Sequence, residues 1–122
     1  MSVNLMQKRS SYAEITFLLN YSHRLYNEYL NADKKFIYAS ILRKVNGRLY
    51  ERLHECVSFF KEKSHADILE LMLHLDVWMT IWDYEFKMQN PSLQDVFTFH
   101  NDVNFPGDSV TKLLLELAEY SE

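Results

Sequence analysis

A chain of 122 residues with 48% hydrophobic and 25% charged residues has the size and make-up of one folded domain. Seventeen acidic against thirteen basic residues leave a net charge of −4, which excludes the broad basic face of a general nucleic-acid binder. Gly47 and Gly107 are its two glycines, so it can hold neither a dinucleotide loop nor a P-loop and has little scope for a hairpin-rich sheet.

Met1 to Ser10 reads as a loose leader that lacks the long apolar core of a signal peptide. Ser11-Tyr12-Ala13-Glu14 has capping-box form. Ile15, Leu18, Leu19, Ser22, Leu25, Tyr26, Tyr29 and Leu30 follow at helical spacing and predict a first helix from about Tyr12 to about Leu30. Asn31 and Asp33 mark a turn. The second segment, from about Asp33 to Lys61, keeps one apolar phase through Tyr38, Ile41, Leu42, Val45, Leu49, Leu53, Cys56, Val57 and Phe60. Asn46-Gly47 interrupts it. Either one continuous helix crosses this point, at a cost of about 1 kcal/mol for the glycine, or two shorter helices meet there.

Ser64-His65-Ala66-Asp67 repeats the capping pattern and opens a third helix, about His65 to Lys87. Its main stripe is Ile68, Leu71, Met72, Leu75, Trp78, Met79 and Trp82. Leu69, Leu73, Val77, Ile81 and Phe86 make it apolar on most sides, which predicts a helix central in the fold or shared with a partner. Asn90-Pro91 stops it. Ser92-Leu93-Gln94-Asp95 predicts a short helix ending near Phe97, followed by an irregular stretch to Asp108. Val110, Leu113, Leu114, Leu117 and Ala118 share one face of a last helix, about Ser109 to Tyr120. The expected fold is all-α: a four-helix bundle-like single domain with one additional short helix.

The longest apolar-rich stretch, Ile68 to Met79, contains Glu70, His74 and Asp76, so no membrane span is expected and the cytoplasm is the default compartment. Cys56, the single cysteine, reads as a small buried hydrophobe. Glu51 and His54 have the Glu-x-x-His spacing of di-iron bundles, but no second pair accompanies them. Asp67, Glu70 and His74 project from adjacent turns near His65 and have no obvious further ligand. They read better as dipole-complementing and marginal polar residues. No metal and no cofactor are expected.

Lys44, Arg48 and Arg52 form a basic row one turn apart, close to Arg43 and Tyr50; such a row can bind phosphates or an acidic protein, but it reads better as a solvated face laced with Glu51 and Glu55. The run Arg48-Leu49-Tyr50-Glu51-Arg52-Leu53-His54 resembles the loose Arg-x(4–6)-His pattern of HEPN domains, where a polar residue usually stands in place of Leu49. HEPN domains are small helical bundles, many of them ribonucleases or toxin–antitoxin components. The resemblance implies that Arg48 and His54 act together on an RNA phosphodiester at a dimer interface.

Aromatic residues make up 15% of the chain, more than a small core needs, and favour a protein partner or a homodimer. Phe97, Phe99, Val103 and Phe105 alternate with polar residues. They either plug one end of the bundle or expose Phe99 and Phe105 as a partner-binding rim, with Asp102 and Asp108 adding negative charge. Three functional classes follow. The first is a small protein-binding module of inhibitor, immunity, antitoxin or adaptor type. The second is the HEPN-like ribonuclease. The third is a helical sensor with an apolar pocket beneath Trp78 and Trp82.

Overall fold

No glycine or proline precedes Gly47, so the strongest helix breakers are missing from the first 46 residues. In the computed structural model, which describes residues 3–101 and 104–120, α1 runs over Val3–Asn31. The expected leader is therefore helical from Val3 onward, and packing explains why. Lys8 donates to the Tyr120 hydroxyl at 2.8 Å and lies 4.2 Å from that ring's centre. Ser11 is buried in mid-helix and accepts from Arg52 at 3.3 Å, so it is a packing residue and not a cap.

Asp33 (φ 58°) and Lys34 (φ 55°) make the left-handed turn into α2, Phe36–Cys56. The helix crosses Asn46-Gly47 without a break. Asn46 is buried and accepts from Ser22 at 2.6 Å. A Cβ on Gly47 would stand 3.1 Å from Arg43 Nη1, so the glycine makes room for that guanidinium as it crosses to Asp83. α2 ends before Lys61, because residues 57–64 fold into two tight helical turns, Val57–Phe59 and Glu62–Ser64. Ser64 does not cap α3; its hydroxyl donates to Glu116 across the bundle. α3 covers His65–Gln89 and ends on Asn90 in the left-handed conformation, just before Pro91. α4 is Gly107–Ala118.

The short helix expected at Ser92–Phe97 is a turn instead. Its backbone has another task. Asp95 and Leu93 carbonyls accept from the Phe36 and Ile37 amides at 2.7 and 2.9 Å, and the Phe97 amide donates to Lys34 O at 2.9 Å. The segment supplies acceptors to the first amides of α2, which lack partners within their own helix. The Lys35–Val96 bridge belongs to this clasp, and no strand occurs among the described residues.

Consecutive helices are neighbours and α4 also touches α1, so the architecture is an all-α four-helix bundle. The main core joins Ile15 and Leu18 of α1, Leu49 and Leu53 of α2, Ile68, Leu71 and Leu75 of α3, and Leu113 and Leu117 of α4. A second cluster holds Phe36, Ala39, Trp82 and Phe97. α3 is not central, despite its apolar character. Leu69 and Leu73 point outward and are 66% and 57% exposed.

The four helices are unequal. α4 has 12 residues against 29, 21 and 25 for α1, α2 and α3. It serves one end of the bundle, where a buried carboxylate ties the elements together. Glu116 accepts from Tyr12 at 2.6 Å, from the Lys61 amide at 3.0 Å and from Ser64. At the other end, irregular chain between α3 and α4 stands where a full-length fourth helix would lie.

Candidate functional site

The short α4 leaves a cleft between α1 and α3 of about 870 Å³. Its floor is α2, through Ala39, Leu42, Asn46 and Leu49. One wall is α1, through Leu19, Ser22, His23, Tyr26, Tyr29 and Leu30. The facing wall is α3, through Leu71, His74, Leu75, Trp78 and Trp82. Phe97, Thr98, Phe99, Asn101, Asn104 and Phe105 form the third side, and Val110 and Leu114 of α4 close the lower end. The heptad-like spacing Leu71, Leu75, Trp78, Trp82 puts these side chains on one face of α3. Both tryptophans of the chain line the cleft.

Polar side chains also line the cleft, among them Asn20, His23, Asn27, Asn101 and Asn104, and others are fixed by bonds within it. Ser22 and Asn46 bond to each other across the floor. Tyr29 donates to the Phe97 carbonyl, which anchors the irregular wall to α1. Burial raises the Tyr29 phenol above its ordinary value, helped by Tyr26. His74 is half-buried. Burial pushes its imidazole below the ordinary histidine value, against the opposing effect of a backbone bond at Asn104. Among the described residues its buried Nδ1 has no partner, nor has the Nε1–H of Trp82.

The irregular stretch does both things that its sequence permits, at different residues. Phe97 is fully buried against Phe36 and Trp82, with ring centres at 5.3 Å in each case. Phe99 is half-buried, 5.7 Å from Phe97 and 6.4 Å from Trp78. Phe105 is 60% exposed and stands edge-on to His74 at 5.3 Å. Phe99 and Phe105 thus both line the cleft. Asp108 is exposed in the first turn of α4 and outside the cleft lining. Asp102 lies outside the described residues.

The basic row is partly neutralised, and chiefly by a residue of another helix. Glu14 of α1 pairs with Arg48 and Arg52, each at 3.2 Å, and Glu55 pairs with Arg52 at 3.1 Å. Lys44 is exposed. Arg48 and His54 are six residues apart on an unbroken helix, which separates them by about 120° around the axis. They do not converge within one chain. Among the described residues, no group of three or more His, Cys, Asp or Glu is placed to hold a metal ion, and no helix is long and apolar enough to cross a membrane.

Sequence reasoning named Trp78, Trp82, Phe99 and Phe105 but missed the α1 wall and the floor. One signal was present. Asn46 stands at a core position of the α2 stripe, where a polar side chain needs a partner; pairing with Ser22 of the α1 stripe supplies it. Comparison with known protein families, curated proteins and solved structures finds no match to this chain.

Proposed function

We propose that this protein is a non-catalytic binding module that takes a small apolar molecule in the cleft between α1 and α3. The observation that carries the reading is the cleft itself: about 870 Å³, walled by aromatic and aliphatic side chains from every helix and from the irregular segment. Sites for small organic ligands are of about 300–1,000 Å³, mostly apolar, with few polar groups to set orientation. The location supports it too, since pockets between helices are where bundles build ligand sites.

The test uses the two tryptophans as reporters, because Trp78 and Trp82 both face the cleft. Titration with N-phenyl-1-naphthylamine, a neutral apolar fluorophore, should quench tryptophan emission by energy transfer and saturate at about one equivalent. Asn20→Phe, which sets a ring at the cleft margin from an exposed position of α1, should weaken binding about tenfold without lowering the melting temperature. Unsaturable quenching that Asn20→Phe leaves unchanged would sink the reading.

A second reading, a protein partner seated on the rim, is favoured by Phe105. A ring 60% exposed beside an aromatic wall has the form of an interface anchor. It requires that Phe105→Ala abolish capture of the partner while leaving the fold intact. The HEPN-like ribonuclease has no such support, since Arg48 and His54 diverge on α2 and Arg48 is paired with Glu14.

A further inference from the structure

The charges around the cleft narrow the class of its ligand. Seventeen of the 122 residues are acidic and the net charge is −4, yet among the described residues no aspartate or glutamate lines the cleft. Lys34 is the one lining side chain with a full positive charge, and His23 and His74 add imidazoles. The nearest acidic residues in sequence are accounted for outside the lining. Glu28 is paired with Arg24 at 2.9 Å, and Asp33 lies in the exposed turn.

The backbone of Lys34 is tied down on both sides. Lys34 occupies the left-handed region, which is costly for a side chain of its type. Its amide donates to Tyr29 O at 2.8 Å and its carbonyl accepts from the Phe97 amide at 2.9 Å. The Lys34 backbone is thus held at the end of the cleft where α1, α2 and the irregular wall meet, and its exposed side chain starts from there. Lys34 forms no ion pair among the described residues. Trp82, whose buried indole N–H has no acceptor among the described residues, lies at the same end, 5.3 Å from the Phe97 ring. Away from this end the apolar part of the lining is Leu42, Leu49, Leu71, Leu75 and Trp78, beside uncharged polar groups such as Ser22, Asn46 and Asn104.

Resting on the ligand-binding reading, we propose that the ligand is a single-chain apolar carboxylic acid bound as its carboxylate. The apolar body lies between α1 and α3 and the head group lies at Lys34. The negative net charge of the protein works against anions in general, so selectivity comes from the absence of carboxylates among the described lining residues together with the one lysine there.

The test compares three probes of one chain length on the intact protein, read by tryptophan emission at low salt: decanoate, 1-decanol and decyltrimethylammonium. Decanoate and decanol should bind, and the cationic probe should not. Lys34→Gln should weaken decanoate about fivefold, the upper end for an exposed ion pair, and leave decanol within about twofold. Lys34→Glu should weaken decanoate further, with circular dichroism showing the same helical content for both variants. If decanoate and decanol bind alike and neither Lys34 variant separates them, the carboxylate assignment is wrong while the cleft reading stands. If the cationic probe binds as tightly as decanoate, the assignment is also wrong. If none of the three changes the emission, the ligand-binding reading falls with it.

Discussion

Removing the Glu116 carboxylate should show how one end of the bundle is held. In Glu116→Ala the Tyr12 hydroxyl keeps an acceptor, the Phe59 carbonyl at 2.9 Å. The Ser64 hydroxyl and the Lys61 amide keep none. Leaving a buried donor unsatisfied costs about 1–3 kcal/mol, and the Lys61 amide is only partly buried, so the pair costs about 3 kcal/mol. For a domain of this size that lowers the melting temperature by about 10 °C. Glu116→Gln retains the shape and can accept from Tyr12 and Lys61 while donating to Ser64, so its loss should be about 1 kcal/mol near pH 7.

The two variants also separate charge from shape. Burial pushes the Glu116 carboxyl up, but the bonds from Ser64, Tyr12 and the Lys61 amide, with the Lys61 charge, outweigh it and hold the group below the ordinary value of 4.5. A carboxylate with a depressed folded-state value stabilises above its unfolded value and loses that contribution as pH falls through the folded one. The wild-type protein should therefore lose its advantage over Glu116→Gln as pH drops below 4.5, and this slope should be missing in the variant. Thermal melts followed by circular dichroism from about pH 7 to about pH 3 measure both effects. A constant gap between wild type and Glu116→Gln across that range, or an unchanged melting temperature in Glu116→Ala, would refute the reasoning.

Phe97→Ala should cost about 3–5 kcal/mol in urea unfolding, because the ring is fully buried between Phe36 and Trp82, whereas Phe105→Ala should change stability by less than about 0.5 kcal/mol. Gly47→Ala should stabilise an Arg43→Ala background by about 1 kcal/mol but give less in the wild type, since Arg43, held to Asp83 by two bonds of 2.9 Å, has to shift from the new Cβ. Self-association, if it uses the outward stripe of α3, should give about twice 14.6 kDa by light scattering, and Leu69→Lys with Leu73→Lys should return the mass to that of one chain.

Helices with one strong apolar stripe could be read in advance, and so could the stop at Asn90-Pro91. Residues whose role depends on another helix could not. Ser11 and Ser64 carry the local pattern of caps, but a hydroxyl bonds whatever polar group packing brings to it, Arg52 in one case and Glu116 in the other. Asn46-Gly47 carries the local pattern of a turn, yet Ser22 and Arg43 give each residue a reason to remain helical. Glu116 was visible only as an acidic residue among apolar neighbours on α4. The shortness of the last helix and a pocket beneath Trp78 and Trp82 could be read, but not that α1 supplies the facing wall and α2 the floor, because periodicity does not say which helices pack together.

The clasp between residues 93–97 and the start of α2 also bears on how the molecule opens. The amides of Phe36 and Ile37 belong to α2 by position, but their acceptors arrive with a segment nearly sixty residues later in the chain. Hydrogen exchange should therefore group these two amides with residues 93–97 and not with the middle of α2, as members of one cooperative unit. Phe97, in that same unit, leads directly into the irregular wall of the cleft. Fraying at the first turn of α2 and opening of that wall are then a single event, and a ligand that holds the wall shut should slow exchange at Phe36 and Ile37, amides it never touches.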